Sequence, residues 1–271
     1  MKVKLDDVGS IRKADMEISR INVVGGVNSS GKSTVSKLLY CYFKSQRDSE
    51  SLDFLMDSED LHNLKDSNIT FEDCLSPKEI FYIDSISILD LKDLDILRFD
   101  HINHIKNALE SDEKTECEKT KEILDKIQNI IRSDCMKTPT NSSGIKEIGI
   151  IQILLQNNSL IEDSFLIIDE PESSLHPSWQ IRFAEILVLL AKDLNIHIYL
   201  NSHSPMFIEA VSLYAQYYGL LNETCFYLSE SDGDKYVFRK ISPKNMGEVY
   251  ENLTRPYDEL DKLKARILFK G

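Results

Sequence analysis

Apolar positions along the chain come in two forms, short unbroken runs and residues spaced three or four apart, and the two forms alternate. Residues 21–24 (INVV) make a β-branched run of the kind that builds a buried strand, and Val35, Leu38, Leu39 and Tyr42 then recur at helical spacing. Residues 79–89 (EIFYIDSISIL) predict a strand returning to the core. Residues 165–170 (FLIIDE) are a continuous apolar run ending in two carboxylates, and residues 195–205 (NIHIYLNSHSP) predict a further strand ending in a polar turn. Runs without polar alternation suit parallel strands buried on both faces. Between these two strands, residues 181–194 (IRFAEILVLLAKDL) predict an apolar helix, and residues 225–241 predict a hairpin with its turn at Asp232 and Gly233. The alternation of strands and helices predicts an α/β fold, a mostly parallel sheet with flanking helices.

The remaining stretches carry weaker patterns. From Ser45 to about Lys78 the composition is acidic and irregular, which predicts a solvated peripheral segment. Residues 101–132 interleave Glu and Lys and predict one exposed, charged helix. Near the C-terminus, Tyr250, Leu253, Tyr257 and Leu260 recur at helical spacing, a stripe suited to covering the sheet edge or docking a partner. With no internal repeat or low-complexity linker, a single domain is expected: a core lobe of residues 1–44 and 145–241, a peripheral helical lobe of residues 45–144, and a helical tail of residues 242–271.

Composition narrows the function. The 271 residues are 42% hydrophobic, enough for a sizeable core, and the net charge of −13 opposes non-specific contact with nucleic acid or acidic membranes. DNA as a partner is possible but not indicated by charge. The five cysteines (Cys41, Cys74, Cys117, Cys135, Cys225) form no C-x-x-C pair and leave one odd, which predicts buried free thiols in a reducing compartment. No apolar run approaches the length of a membrane span, so a soluble, cytoplasmic protein with no membrane partner is expected.

The chemistry begins at residues 25–34 (GGVNSSGKST), where Gly26, Gly31, Lys32 and Ser33 fit the P-loop pattern G-x-x-x-x-G-K-[ST]. Its flanking strand and helix are the context that pattern requires. The loop's backbone N–H groups, at Asn28, Ser30 and Thr34 as well, and the following helix dipole make an anion site. Lys32 is expected to reach the β- and γ-phosphates, and the Ser33 hydroxyl to ligate Mg²⁺. Asp169, ending a strand expected beside the P-loop strand, is the second Mg²⁺ candidate, and Glu170 is placed to activate the attacking water. His203, just past another strand end, is the candidate γ-phosphate contact. His101 and His104 have metal-like spacing but no further ligands nearby, and are expected at the surface.

In chain order these pieces resemble the ABC-type ATPases. Residues 141–155 (NSSGIKEIGIIQILL) occupy the place of that family's signature helix, with Ser142, Ser143 and Gly144 at its start. The resemblance implies that Ser143 and Gly144 bind the γ-phosphate held by a second subunit, so that ATP is sandwiched in a homodimer. Ile145 and Lys146 replace the transporter version's second glycine and glutamine. The strings GVNSSGKST, DEPESSLHP and NSHSP resemble those of the compact OLD-like AAA/ABC ATPases found in bacterial and archaeal anti-phage systems, which are related to the SMC and recombination-repair ATPases. No glutamine follows residues 79–89 where the family's Q-loop stands, so the γ-phosphate or Mg²⁺ contact that the resemblance implies there is either absent or taken by Asp84 or Ser85. The 30 residues after Ile241 are too few for the Toprim nuclease domain of OLD proteins. The resemblance therefore implies an Mg-ATP-dependent, ATP-hydrolysing switch acting on a separate nuclease or toxin, in anti-phage defence or DNA metabolism; the alternatives are a transporter's ATP-binding subunit or a low-turnover nucleotide-binding regulatory module.

Overall fold

A computed structural model describes residues 1–59, 61, 64, 68–73, 75–84, 100–132, 143–173 and 175–268, with the side chains of Ser58 and residues 143–146 left undescribed. The elements run β1 (Lys2–Val8), β2 (Ile11–Glu17), β3 (Ile21–Gly26), α1 (Lys32–Asp48), α2 (Leu52–Ser58), β4 (Asn68–Glu72), β5 (Ile80–Ile83), α3 (Asp100–Leu109), α4 (Glu118–Arg132) and α5 (Ser143–Gln156). They continue with β6 (Phe165–Asp169), α6 (Pro177–Asp193), β7 (His197–Ser202), α7 (Pro205–Tyr217), β8 (Thr224–Asp232), β9 (Lys235–Ile241), α8 (Met246–Thr254) and α9 (Pro256–Leu268).

The strands form one sheet in the order β4-β1-β2-β9-β8-β3-β7-β6-β5. From β8 through β3, β7 and β6 to β5 every pairing is parallel, while β4, β1 and β2 join one another antiparallel at the far side. The expected α/β P-loop fold with a mostly parallel sheet is thus met. One neighbour relation differs: β6 does not lie beside the P-loop strand β3, because β7 is inserted between them.

Strand periodicity sorts side chains into two cores. Ile80, Tyr82, Phe165, Ile167 and Tyr199 face α1 and α2, and Phe81, Ile83, Leu166, Ile168 and Leu200 face the layer of α4–α8. By the same alternation Asp169 and Asn201 fall on the α1 face, over the start of the P-loop helix.

Several weakly patterned stretches differ from expectation. The acidic segment after Ser45 contains α2, whose Leu55 and Met56 are buried, and β4, which pairs with β1. Residues 101–132 form two helices, and the first buries His101, Ile102 and Ile105. Strands β1 and β2 hold Val3, Leu5, Ile11, Ala14 and Met16 in the core, an alternation diluted by Asp, Lys and Glu on the solvent face. Cys41 and Cys225 are buried as expected and Cys117 is exposed; Cys74 and Cys135 lie outside the described residues. The hairpin loop is Gly233 and Asp234, one residue later than predicted. The C-terminal stripe divides: Tyr250 and Leu253 pack on the core, whereas Tyr257 and Leu260 are exposed on α9.

Candidate active site

The P-loop is held by two glycines with no freedom to change. Gly26 ends β3 at φ 151°, where a Cβ would fall 1.8 Å from Ser229 Oγ, and Gly31 caps α1 at φ 91°, where a Cβ would fall 2.5 Å from Ile11 Cγ1. Only glycine reverses the chain there without driving the loop off β2 and β8. Lys32 then enters the turn, its ammonium donating to the carbonyls of Gly26 at 2.9 Å and Val27 at 2.7 Å. Two of its three N–H donors are thus satisfied, leaving one for a ligand. Burial holds its pKa below the usual lysine value, against the pull of Asp169, Glu170 and Glu172.

A cavity of about 190 Å³ opens beside this turn, lined by Ser10, Asn28, Ser29, Gly31, Lys32, Ser33, Thr34, Asp169 and Glu170. Ser30 is turned away, fully buried and hydrogen-bonded to Ser229 at 2.8 Å, so its side chain fastens the loop to β8 rather than facing the cavity.

Asp169 closes β6 almost fully buried. It accepts hydrogen bonds from Tyr82 Oη at 3.0 Å, from Asn201 Nδ2 and from the Ser33 hydroxyl. Burial raises its pKa; those three hydrogen bonds oppose the shift and the Asp84 charge adds to it. Asn201 also reaches Ser36 Oγ at 2.7 Å, and its buried Oδ1 has no partner among the described residues. Ser33 and Asp169 in contact beside an unsatisfied buried acceptor are oxygen donors of the type a hard divalent cation takes, so these residues fit Mg²⁺.

Glu170 leaves the strand in the left-handed region, at φ 55°, with its N–H bonded to Asn201 O at 2.9 Å. A non-glycine residue in this conformation is uncommon and is kept by its surroundings. The turn swings the carboxylate out over the cavity mouth, where Ser173 Oγ donates to it at 3.2 Å. His203 Nδ1 stands 3.7 Å from Glu170 Oε1 and 3.5 Å from Glu172 Oε1. It backs Glu170 and does not line the cavity. Glu172, buried, accepts from the backbone N–H groups of His203 at 2.7 Å and Ser204 at 3.1 Å, locking the turn after β7 to the turn after β6.

Sequence reasoning missed Ser10, Asn201 and Glu172 as parts of this arrangement. Asn201 and Glu172 lie inside motifs quoted for their neighbours, whereas Ser10 is delivered by the β1–β2 turn, for which the sequence carries no chemical signal. Ser143 and Gly144 open α5 as expected, with their side chains undescribed, and Ser142 and Ser85 lie outside the described residues. The surface expectation for His101 and His104 is overturned. His101 is 1% exposed, pinned between Glu59 and Asp84, and His104 is largely buried with its ring stacked on Phe81 at 5.0 Å. Burial pulls His101 down, yet its bonds to Asp84 and Glu59 leave the net shift upward; His104 Nδ1 has no hydrogen-bond partner among the described residues, and burial lowers His104 to about 4.

A protein-family model described as "AAA domain, putative AbiEii toxin, Type IV TA system" matches residues 110–209, just over a third of the chain. The match takes in Asp169, Glu170 and His203 and stops short of the P-loop. No curated protein matches. Among solved structures, an SMC head domain from Thermotoga maritima is similar at 15% identity and a TM-score of 0.49, over 89% of this chain and 98% of the other. An ATP-binding cassette of an ABC transporter in its ADP conformation is similar at 12% identity and TM-score 0.49, over 95% and 96% of the two chains. A dimeric ATP-binding cassette bound to ADP and Pi is similar at 13% identity and TM-score 0.49, over 89% and 98%. Among the described residues, no helix is long and apolar enough to cross a membrane.

Proposed function

We propose that the chain is an ATP-hydrolysing switch of the ABC type, whose Mg-ATP site lies at the carboxyl edge of the parallel sheet. The observation that carries this reading is the convergence of Lys32, Ser33, Asp169 and Glu170, from two stretches of sequence well over a hundred residues apart, on one cavity at the start of α1. The N–H groups of the glycine turn and the α1 dipole receive the phosphates. Lys32 turns its remaining donor to a phosphate oxygen, and Ser33 and Asp169 would hold the metal. Magnesium, when bound, neutralises charge on the transferring phosphoryl group. Glu170 accepts the proton of a water whose oxygen attacks the γ-phosphorus as the bond to the β–γ bridging oxygen breaks, releasing ADP and phosphate. His203, fixed through Glu172, orients Glu170.

The switch acts as a homodimer in which Ser143 and Gly144, at the start of α5, complete the site of a second copy, and hydrolysis reopens it to control a separate effector. The partial match to a family described as a putative toxin of a type IV TA system supports an effector of that kind over a transport role; that the switch works in anti-phage defence or DNA metabolism is part of the proposal. A Glu170→Gln variant is expected to bind ATP, accumulate as an ATP-dependent dimer on a sizing column, and lose about 10²–10⁴-fold in turnover. Wild-type turnover in that variant would remove Glu170 from the role given to it.

A further inference from the structure

Strand β5 ends beside β6, and the register that pairs Ile83 with Ile168 brings Asp84, one residue on, alongside Asp169. Alternation turns Asp84 to the face of Tyr82, whose hydroxyl is bonded to Asp169. Asp84 is itself almost fully buried. Behind it stands His101, the second residue of α3, with Nε2 3.4 Å from Asp84 Oδ2. On its other side, His101 Nδ1 lies 2.8 and 2.7 Å from the two oxygens of Glu59, just past α2, and the His101 N–H donates to Glu59 Oε1 at 3.0 Å. The side chains of His101 and Glu59 have no exposed surface. The rings of Tyr82 and Tyr40 lie against the imidazole at 4.5 and 6.0 Å.

Burying a carboxylate and an imidazole together costs stability that apolar residues of the same size would not, so such a cluster calls for a use. None of the steps assigned above employs Glu59 or His101. Their arrangement is that of a histidine oriented by one carboxylate and presenting its far nitrogen to a second, the way outer partners fix the group that meets a metal. The group presented here stands at the same sheet edge as Asp169.

We propose that Glu59 and His101 are positioning residues that hold Asp84 beside Asp169, so that the edge offers two adjacent carboxylates to the cation of a bound Mg-nucleotide. Because Glu59 and His101 come from the α2 and α3 region and Asp84 from the sheet, the second carboxylate is in place only while that region is seated on the sheet. This inference rests on the Mg-ATP reading of the site and goes beyond it by naming what aims Asp84.

The test is Mn²⁺ affinity of the full chain, read by electron paramagnetic resonance in the presence of a saturating non-hydrolysable ATP analogue, with Tm and metal-free analogue affinity measured alongside. Asp84→Asn, nearly isosteric, is expected to weaken Mn²⁺ binding about 10–100-fold with Tm and metal-free analogue affinity unchanged. The double variant Glu59→Gln/His101→Phe, which neutralises Glu59 as its imidazole partner is lost and keeps an aromatic ring against Tyr40 and Tyr82, is expected to weaken Mn²⁺ in the same direction; the single variant Glu59→Gln, which keeps His101, should recover part of the loss. Mn²⁺ affinity within twofold of wild type in Asp84→Asn, or a loss in Asp84→Asn that the double variant does not share, would overturn the inference and leave the site reading intact. A wild-type chain that binds neither analogue nor Mn²⁺ would overturn both.

Discussion

Two histidines three positions apart on α3 carry the same side chain to opposite electrostatic ends. His101 has a carboxylate on each side and is held above the usual imidazole value, whereas His104, largely buried against Phe81, is lowered to about 4. A base whose folded pKa lies below its unfolded value stays neutral in the fold, and its contribution to stability is present above the unfolded pKa. As pH falls from about 6.5 through about 4, the unfolded chain takes up the proton first and stability drops, by about 3 kcal/mol in full. Replacing His104 with Phe, which preserves the ring stack, should remove that component: chemical denaturation of the variant should show a shallower loss between pH 6.5 and 4 than wild type, and equal slopes would contradict the burial argument. The spacing of these two histidines was visible in the sequence; their burial was not, because it is imposed by Glu59, Asp84 and Phe81 from distant elements. Gly31, Lys32 and Ser33 were legible for the opposite reason. Their chemistry depends on backbone geometry within a few residues, which the motif itself specifies.

Legibility at the level of elements follows the same division. Strands β3, β6 and β7 are buried on both faces, so their sequences read as unbroken apolar runs with polar groups at the carboxyl ends, and those ends are where the site is built. Strands β1, β2 and β4 pack one face only, and their charged solvent faces hide the period-2 pattern. The β1–β2 turn nonetheless supplies Ser10 to the cavity and Ile11 to the wall against Gly31. Helix α5 carries its own anomaly. Glu147 is 1% exposed, and neither carboxyl oxygen has a partner among the described residues. Burial, with the Glu172 charge adding to it, pushes its pKa well above the usual carboxyl value. A carboxyl raised in this way contributes most below its unfolded pKa and loses that contribution as pH rises toward its folded one. Glu147→Gln should therefore be more stable than wild type at pH 8, by about 2–4 °C in Tm for each kcal/mol recovered, and the advantage should shrink as pH is lowered through 5. A variant less stable than wild type at pH 8 would mean that the carboxylate has a stabilising partner.

Across the whole molecule, the sheet acts as the instrument that turns sequence separation into proximity. Parallel strands all present their carboxyl ends to one edge, so Asp84, Asp169, Asn201 and the glycine turn after β3 line up across four strands although nearly 180 residues separate the first loop from His203. The glycine turn and Asp169 were readable from short strings, and so was their meeting on one edge; Asn201 and the order of the strands were not, and β7 stands between the strand that leads into the glycine turn and the strand that ends in Asp169. That order sets the role of Asn201, which spans from Asp169 to Ser36 and so joins the acidic strand to the P-loop helix. The molecule also exposes α9, which buries none of its residues and carries Tyr257, Leu260, Leu263 and Ile267 outward. In the function proposed, the edge of this sheet is one Mg-ATP site organised around Lys32. Calorimetric titration of Mg-ATP into the wild-type chain and Lys32→Ala tests it most directly. One ATP per chain in the wild type and affinity weakened at least about tenfold in the variant, the cost of a lost charge-assisted hydrogen bond, is the predicted result; equal affinity in the two, or no binding by the wild type, would contradict it.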